Sequence, residues 1–214
     1  MAEFTYLQLR SRINGGIKGK IGILVNDRET INDAVRQVVH DVDLRSMIKN
    51  ETLNPNLDSD TTEYDYPDGM KPYGFIDIIP TTDEREVEYQ LTTQDDFYRS
   101  GSNMVAISEE GTSKLLIRTD LDDDTSTIRF YSEKPWKNIS DEYLVDSTSN
   151  DDVLEVGSDE FNLFVQKGIE IAGTEADEME ASDRAKLKYQ EDKRAYEMRN
   201  PSMRKQIITT YAYF

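Results

Sequence analysis

The chain has 214 residues, with 43 Asp/Glu against 25 Lys/Arg, a formal net charge of -18 and a hydrophobic share of 36%. With no cysteine and one histidine, disulfides, thiol nucleophiles, thiolate metal sites and two-His metal sites are all excluded. Seven Phe, twelve Tyr and one Trp argue against simple disorder, and the low hydrophobic share predicts a modest core helped by neighbouring copies.

The charge is unevenly placed. Residues 1–57 carry 8 Lys/Arg and 7 Asp/Glu, residues 58–160 carry 8 and 27, and residues 161–214 carry 9 and 9. Two near-neutral outer segments flank an acidic middle. A middle of this charge repels phosphate backbones, so it is expected to sit beside nucleic acid without gripping it. No apolar run reaches the ~18 residues of a membrane-spanning helix. The start, MAEFTYLQLR, lacks the basic and apolar regions of a signal peptide. The expectation is a soluble protein kept in a cytosol-like compartment.

In chain order, residues 4–14 read as a short helix with Tyr6, Leu9 and Ile13 on one face, ended by Gly15 and Gly16. Residues 17–26 mix Gly with Ile and Val and read as a loop. Residues 28–42 are the clearest helix, with Asp27 as its expected N-cap. Ile31, Ala34, Val35, Val38, Val39 and Val42 share one face, whose burial must hold a helix this rich in valine. Residues 44–135 turn to strand signals: RSMIKNETL, EYDYP, YGFIDIIP, REVEYQL, NMVAIS, KLLIRT and STIRFYS, separated by Gly, Pro, Asp and Ser. Glu86, Glu88 and Gln90 alternate with Val87, Tyr89 and Leu91, as in a half-buried strand.

Residues 137–157 are polar and acidic and read as a long connection. Ser158 is the expected cap of the next helix, with Asp159 and Glu160 suited to its positive end. Phe161, Phe164, Val165, Ile169 and Ala172 form its buried stripe. Gly168, within that helix, marks close helix packing, and Gly173 ends it. Thr174 and Asp177 resemble a capping pair for a helix over 175–199. That helix has a thin apolar face of Ala181, Ala185, Tyr189 and Tyr196, so it is solvent-exposed or completed by another chain. Pro201 stops it.

Most chemistry-bearing patterns have a plain alternative. Asp120, Asp122 and Asp124 resemble the start of a calcium loop, but Thr125 stands where the turn Gly belongs and Tyr131 where the bidentate Glu belongs. An acidic hairpin turn is the expectation. His40, with no nucleophile motif nearby, reads as a surface or interface residue. The carboxylate pairs Asp95/Asp96 and Asp151/Asp152 read as solvated surface rather than as glycosidase acids. GGIKGKIG lacks the GK[ST] ending of a phosphate loop. No catalytic residue, metal or cofactor is expected, and the chain is not read as an enzyme. The exception is the tail. After Pro201 it carries Arg204 and Lys205, no acid, and five large apolar residues: Ile207, Ile208, Tyr211, Tyr213 and Phe214. It either packs on its own subunit or enters a partner by strand addition or in a groove.

The element order is LQLRSRIN, then INDAVRQVV, a β region entered through YDYP and left through FYSEKPW, an acidic link, FNLFVQKGIEIA, and a charged helix ending EDKRAYEMRN. It resembles that of the head-to-tail adaptor (connector) proteins of tailed bacteriophages. Ile31-Asn32-Asp33-Ala34-Val35 is the most typical stretch, with Tyr66-Pro67 and Lys134-Pro135 where the β region starts and stops. The resemblance implies a ring, usually of twelve copies, docked on the portal protein with a tail or neck protein below. Double-stranded DNA would pass through it without tight binding. It implies a place in the neck of the virion, after assembly in the host cytoplasm. Another phage neck or tail structural protein, and an acidic carbohydrate-binding or hydrolase module, stay open as alternatives. The expected fold is α+β: a helical bundle from residues 1–43 and 158–200, an inserted antiparallel β region over 44–136, an acidic connection over 137–157 and an extended docking arm over 201–214. Arg204, Lys205, Ile207, Ile208, Tyr211, Tyr213 and Phe214 are the expected portal or subunit contacts.

Overall fold

A computed structural model describes residues 2–17, 27–60, 62–80, 88–99, 101, 103–108, 114–120 and 126–204, and the backbone of 207–208. In chain order its elements begin with β1 (Ala2–Thr5), α1 (Tyr6–Gly16), α2 (Asp27–Asp41), a 3-10 turn (Arg45–Met47), β2 (Ile48–Thr52) and β3 (Glu63–Asp65). They continue with β4 (Met70–Ile79), β5 (Gln90–Thr92), α3 (Gln94–Phe97), β6 (Met104–Ser108), β7 (Lys114–Arg118) and β8 (Thr127–Ser132). The last are β9 (Trp136–Lys137), β10 (Tyr143–Leu144), β11 (Val153–Val156), α4 (Ser158–Glu175), α5 (Met179–Arg199) and β12 (Ile207–Ile208). The chain divides into two units. One joins Met1–Met47 to Glu133–Ser202, the other Ile48–Ser132 to Met203–Phe214.

In the first unit, α1, α2, α4 and α5 share a core with a four-stranded antiparallel sheet ordered β1-β11-β9-β10. This corrects the expected fold class. The protein is α+β, but strand-rich: among the described residues three sheets, one of them built with the helices, replace a helical bundle carrying a single β insert. The residues expected as an acidic connection supply β10, β11 and half of β9. The expected 4–14 helix starts only at Tyr6, because Phe4 pairs with Leu154 in the sheet and stacks on Phe161 at 3.9 Å. Strands of two to four residues show no periodicity of their own. Pairing with chain distant in sequence creates them.

Helix ends follow local chemistry. Thr5 and Gln8 form a capping box at α1: the Gln8 amide donates to Thr5 Oγ1 at 3.2 Å, and the Thr5 amide donates to Gln8 Oε1 at 2.9 Å. Gly15 and Gly16 lie inside α1 rather than after it, and Asp27 lies in the first turn of α2. The buried face of α2 is Ile31, Ala34, Val35, Val38 and Val39, packed on α4, with Val42 buried just beyond the helix end. Gly157, not Ser158, precedes α4, and its amide donates to Glu160 Oε2 at 2.9 Å. Helix α4 runs past Gly173 and stops in a Schellman motif: the Glu178 amide donates to the Gly173 carbonyl at 2.8 Å and the Asp177 amide to the Thr174 carbonyl at 3.3 Å. Asp177 takes the left-handed position with φ 58°. The expected Thr174/Asp177 capping pair is therefore the stop of α4, and α5 begins at Met179.

Among its described residues the second unit holds two sheets. The strands β2-β8-β4 are antiparallel. The other sheet is mixed, ordered β12-β5-β6-β7-β3, with β5 parallel to both neighbours. Period-two alternation buries both faces of the β6–β7 pair. Val105, Leu115 and Ile117 join Tyr64, Phe75, Tyr89 and Phe130 in one cluster, while Met104, Ala106 and Leu116 meet Phe97 of α3 in another. Of the expected 85–91 strand, Arg85–Val87 lie outside the described residues. The rest keeps the alternation: Glu88 and Gln90 are exposed, and Tyr89 and Leu91 buried.

Candidate functional site

The segment after α5 is the sequence's main candidate, and the fold positions its first half. Asn200 accepts the α5 end at φ -130° and Pro201 follows, so the chain cannot continue as helix. Two residues on, the Met203 amide donates to the Tyr131 hydroxyl at 3.1 Å, and the Arg204 guanidinium lies 5.9 Å from the centroid of the same Tyr131 ring. Tyr131 is itself buried on β8. Ile207 then stands opposite Leu91 and Ile208 opposite Thr92, as a two-residue parallel strand on the outer edge of β5. Thus Arg204 and the backbone of Ile207–Ile208 contact the chain's own second unit. Lys205, Tyr211, Tyr213 and Phe214 lie outside the described residues.

A cleft of about 270 Å³ opens where β5 ends, lined by Leu91, Thr92, Thr93, Gln94, Asp95, Ile107 and Tyr73. Tyr73 reaches it through a defect in β4. The register of β4 against β8 shifts between Met70 and Phe75 and again before Asp77. At the break, Tyr73 takes φ 54°, in the left-handed region that bulky side chains avoid, and is 47% exposed. Gly74 permits the break, because a Cβ there would come within 2.7 Å of the Lys71 carbonyl and 2.9 Å of the Tyr131 carbonyl. Bulges re-aim side chains in this way, and strained backbone concentrates at binding sites. The sequence reading missed this feature, although its signal was present: a glycine inside the strand-like run YGFIDIIP.

The other candidates resolve into surface or structure. His40 has a side chain 82% exposed and its ring faces Asp41 at 3.5 Å. Asp95 and Asp96 lie in the first turn of α3, where the Asp96 amide donates to Thr93 Oγ1 at 3.2 Å. Asp151 is exposed, whereas Asp152 is buried and its Oδ2 accepts from Ser147 Oγ at 3.2 Å and from the Thr148 and Ser149 amides at 2.7 and 2.8 Å. That carboxylate organises the turn before β11. Asp122, Asp124 and most of GGIKGKIG lie outside the described residues. Among the described residues, no group of three or more His, Asp or Glu side chains is arranged to hold a metal ion. No described helix is long and apolar enough to cross a membrane.

Comparison with known proteins adds no assignment: no protein-family model matches the chain, and no curated protein sequence is significantly similar to it.

Proposed function

We propose that the chain is a virion structural protein, a head-to-tail adaptor of a tailed bacteriophage. Copies of it form a ring that docks on the portal and joins the DNA-filled capsid to the tail. The observation that carries this reading is the element order. Two helices, α1 and α2, precede a strand-rich unit, and two more, α4 and α5, follow it, with a basic, aromatic tail last. The charge supports it. The unit of residues 1–47 and 133–202 carries 16 Lys/Arg against 24 Asp/Glu, and the other carries 9 against 19. Both repel a phosphate backbone, so a genome slides past without adhering, within a screening distance of ~8–10 Å. The protein works without a cofactor and catalyses no reaction. It sits in the virion neck after assembly in the host cytoplasm. Arg204, Lys205, Ile207, Ile208, Tyr211, Tyr213 and Phe214 form the contact with the portal or the next subunit, burying aromatic anchors worth about 1.5–3 kcal/mol each.

The test is co-purification with the portal encoded beside it, followed by electron-microscope imaging. The expected result is a ring of this chain stacked on the portal, retained by the full chain and lost from a chain ending at Asn200. A chain that stays monomeric with assembled portal present, or that binds duplex DNA tightly at moderate salt, overturns the reading.

A further inference from the structure

The tail's position in the second unit carries an inference about how copies of the chain join. We propose that the β5 edge, with the cleft at its end, is an acceptor site for the C-terminal segment of a second copy, and that residues 203–214 exchange between neighbours. This deepens the ring reading above, on which it rests only for closure of the ring.

Three observations meet here. First, α5 belongs to one unit and Met203–Phe214 to the other, so the chain crosses between them through Asn200, Pro201 and Ser202 alone. A short hinge stiffened by proline is the arrangement that favours exchange of a terminal element. Second, the second unit holds the segment: the Met203 amide donates to the Tyr131 hydroxyl, Arg204 lies over the Tyr131 ring, and two ladder positions fall on Leu91 and Thr92. A neighbour presents the same Tyr131 and the same β5 edge, so exchange remakes these contacts. In a ring the copies then hold one another by avidity. Third, the charges match. Residues 203–214 carry two Lys/Arg and no acid, while residues 48–132 carry 7 Lys/Arg and 19 Asp/Glu.

β12 runs parallel to β5, and the cleft lined by Thr93, Gln94, Asp95 and Tyr73 opens where β5 ends. This is strand addition with a side-chain pocket at its end. It gives the strained Tyr73 a role: an exposed ring at the rim of the acceptor.

The chain lacks cysteine, so introduced thiols report without background. Leu91→Cys and Ile207→Cys, each on a differently tagged chain, are co-expressed and oxidised with copper phenanthroline. Neither chain alone can form a bridge between positions 91 and 207. Exchange predicts a disulfide-linked heterodimer in clear excess over either homodimer, and Tyr73→Ala in the Leu91→Cys chain lowers its yield. The double variant on one chain is the fold check: a bridge, within the chain or between copies, shows that both positions are in register. If that bridge forms and the mixed chains give no excess of heterodimer, the tail stays on its own chain and the proposal is overturned. If Leu91→Cys does not fold, Thr92→Cys with Ile208→Cys puts the same question. No portal is present, so failure to bind portal overturns the adaptor reading and leaves this one standing.

Discussion

At the scale of single residues, Glu160 shows how burial changes a side chain's task. From sequence it is one of two acids suited to the start of α4, yet it is 4% exposed. Its carboxylate accepts the Tyr196 hydroxyl at 2.6 Å, the Gly157 amide at 2.9 Å and the Ser46 amide at 3.2 Å, and the Arg45 amide in turn donates to the Tyr196 hydroxyl at 2.9 Å. The group therefore ties the start of α4 to α5 and to the 3-10 turn. Tyr196→Phe keeps the ring but leaves a buried carboxylate short of a donor and the Arg45 amide without its acceptor. The expected loss is about 1.5–3 kcal/mol, because hydrogen bonds to charged groups lie at the upper end of the scale. Urea unfolding checks it: the midpoint falls while the slope stays that of the parent. A shift no larger than that of exposed Asp151→Asn, within ~0.5 kcal/mol, would show that the network contributes nothing. Composition cannot reveal such a role. Asp152 and Asp151 are adjacent in sequence, and only the fold decides that one orders a turn and the other meets water.

At the scale of elements, helices α1 and α4 meet through reciprocal glycines. A Cβ on Gly168 would lie 2.2 Å from Ile13 Cδ1, and a Cβ on Gly16 would lie 2.2 Å from Ile169 Cδ1. Each isoleucine rests on the other helix's glycine, so the backbones approach closely. Gly168→Ala gains about 1 kcal/mol of helix propensity but overpacks at a cost of about 1–3 kcal/mol, for an expected net loss of about 1 kcal/mol. In an Ile13→Ala background both clashing carbons, Cδ1 at 2.2 Å and Cγ1 at 2.6 Å, are gone and the same substitution becomes neutral or favourable. A double-variant cycle by thermal or urea unfolding reads this coupling, and additive effects would refute the contact. Gly168 was legible because it lies within a helix, beside a strong apolar stripe. Gly16 was not, since a glycine near a helix end looks like a stop. The same contrast runs through the fold. The buried faces of α2 and α4 and the strands β6, β7 and β8 were readable, because each repeats its pattern over five residues or more. Strands β1, β9, β10 and β11 span four residues or fewer and owe their existence to partners far along the chain. The aromatic and basic character of the tail could be read directly. The β5 edge that receives it could not, because a three-residue strand carries no pattern that marks it as an acceptor.

At the scale of the whole molecule, the charge of -18 and the buried tyrosines act together at high pH. Tyr6, Tyr89 and Tyr189 are each about 1% exposed or less. Burial pushes all three hydroxyls above the ordinary tyrosine value of 10.0, and nearby carboxylates reinforce it: Asp27 at Tyr6, Asp120 and Asp77 at Tyr89, and Asp41 and Glu170 at Tyr189. A raised folded-state pKa means that the neutral form is favoured in the native protein. Its stabilising effect is complete below about pH 10, where tyrosine is neutral in both states, and is lost as pH rises through the folded-state values. Lys137, held above its ordinary value by Asp141 at 3.0 Å and Glu155 at 3.1 Å, loses its contribution in the same direction. Every proton lost adds to a negative charge that already disfavours compaction. The expected result is a urea midpoint that is flat between about pH 7 and 9 and falls steeply above about pH 10. Tyr6 and Tyr189 lie in the first unit and Tyr89 in the second, so both units carry such groups. Tyr189→Phe removes one titrating group and makes the decline shallower. Added salt screens the repulsion and raises the midpoint at every pH without removing the decline. A midpoint that holds constant well above pH 10 would mean that these hydroxyls ionise as freely in the folded protein as in the unfolded chain.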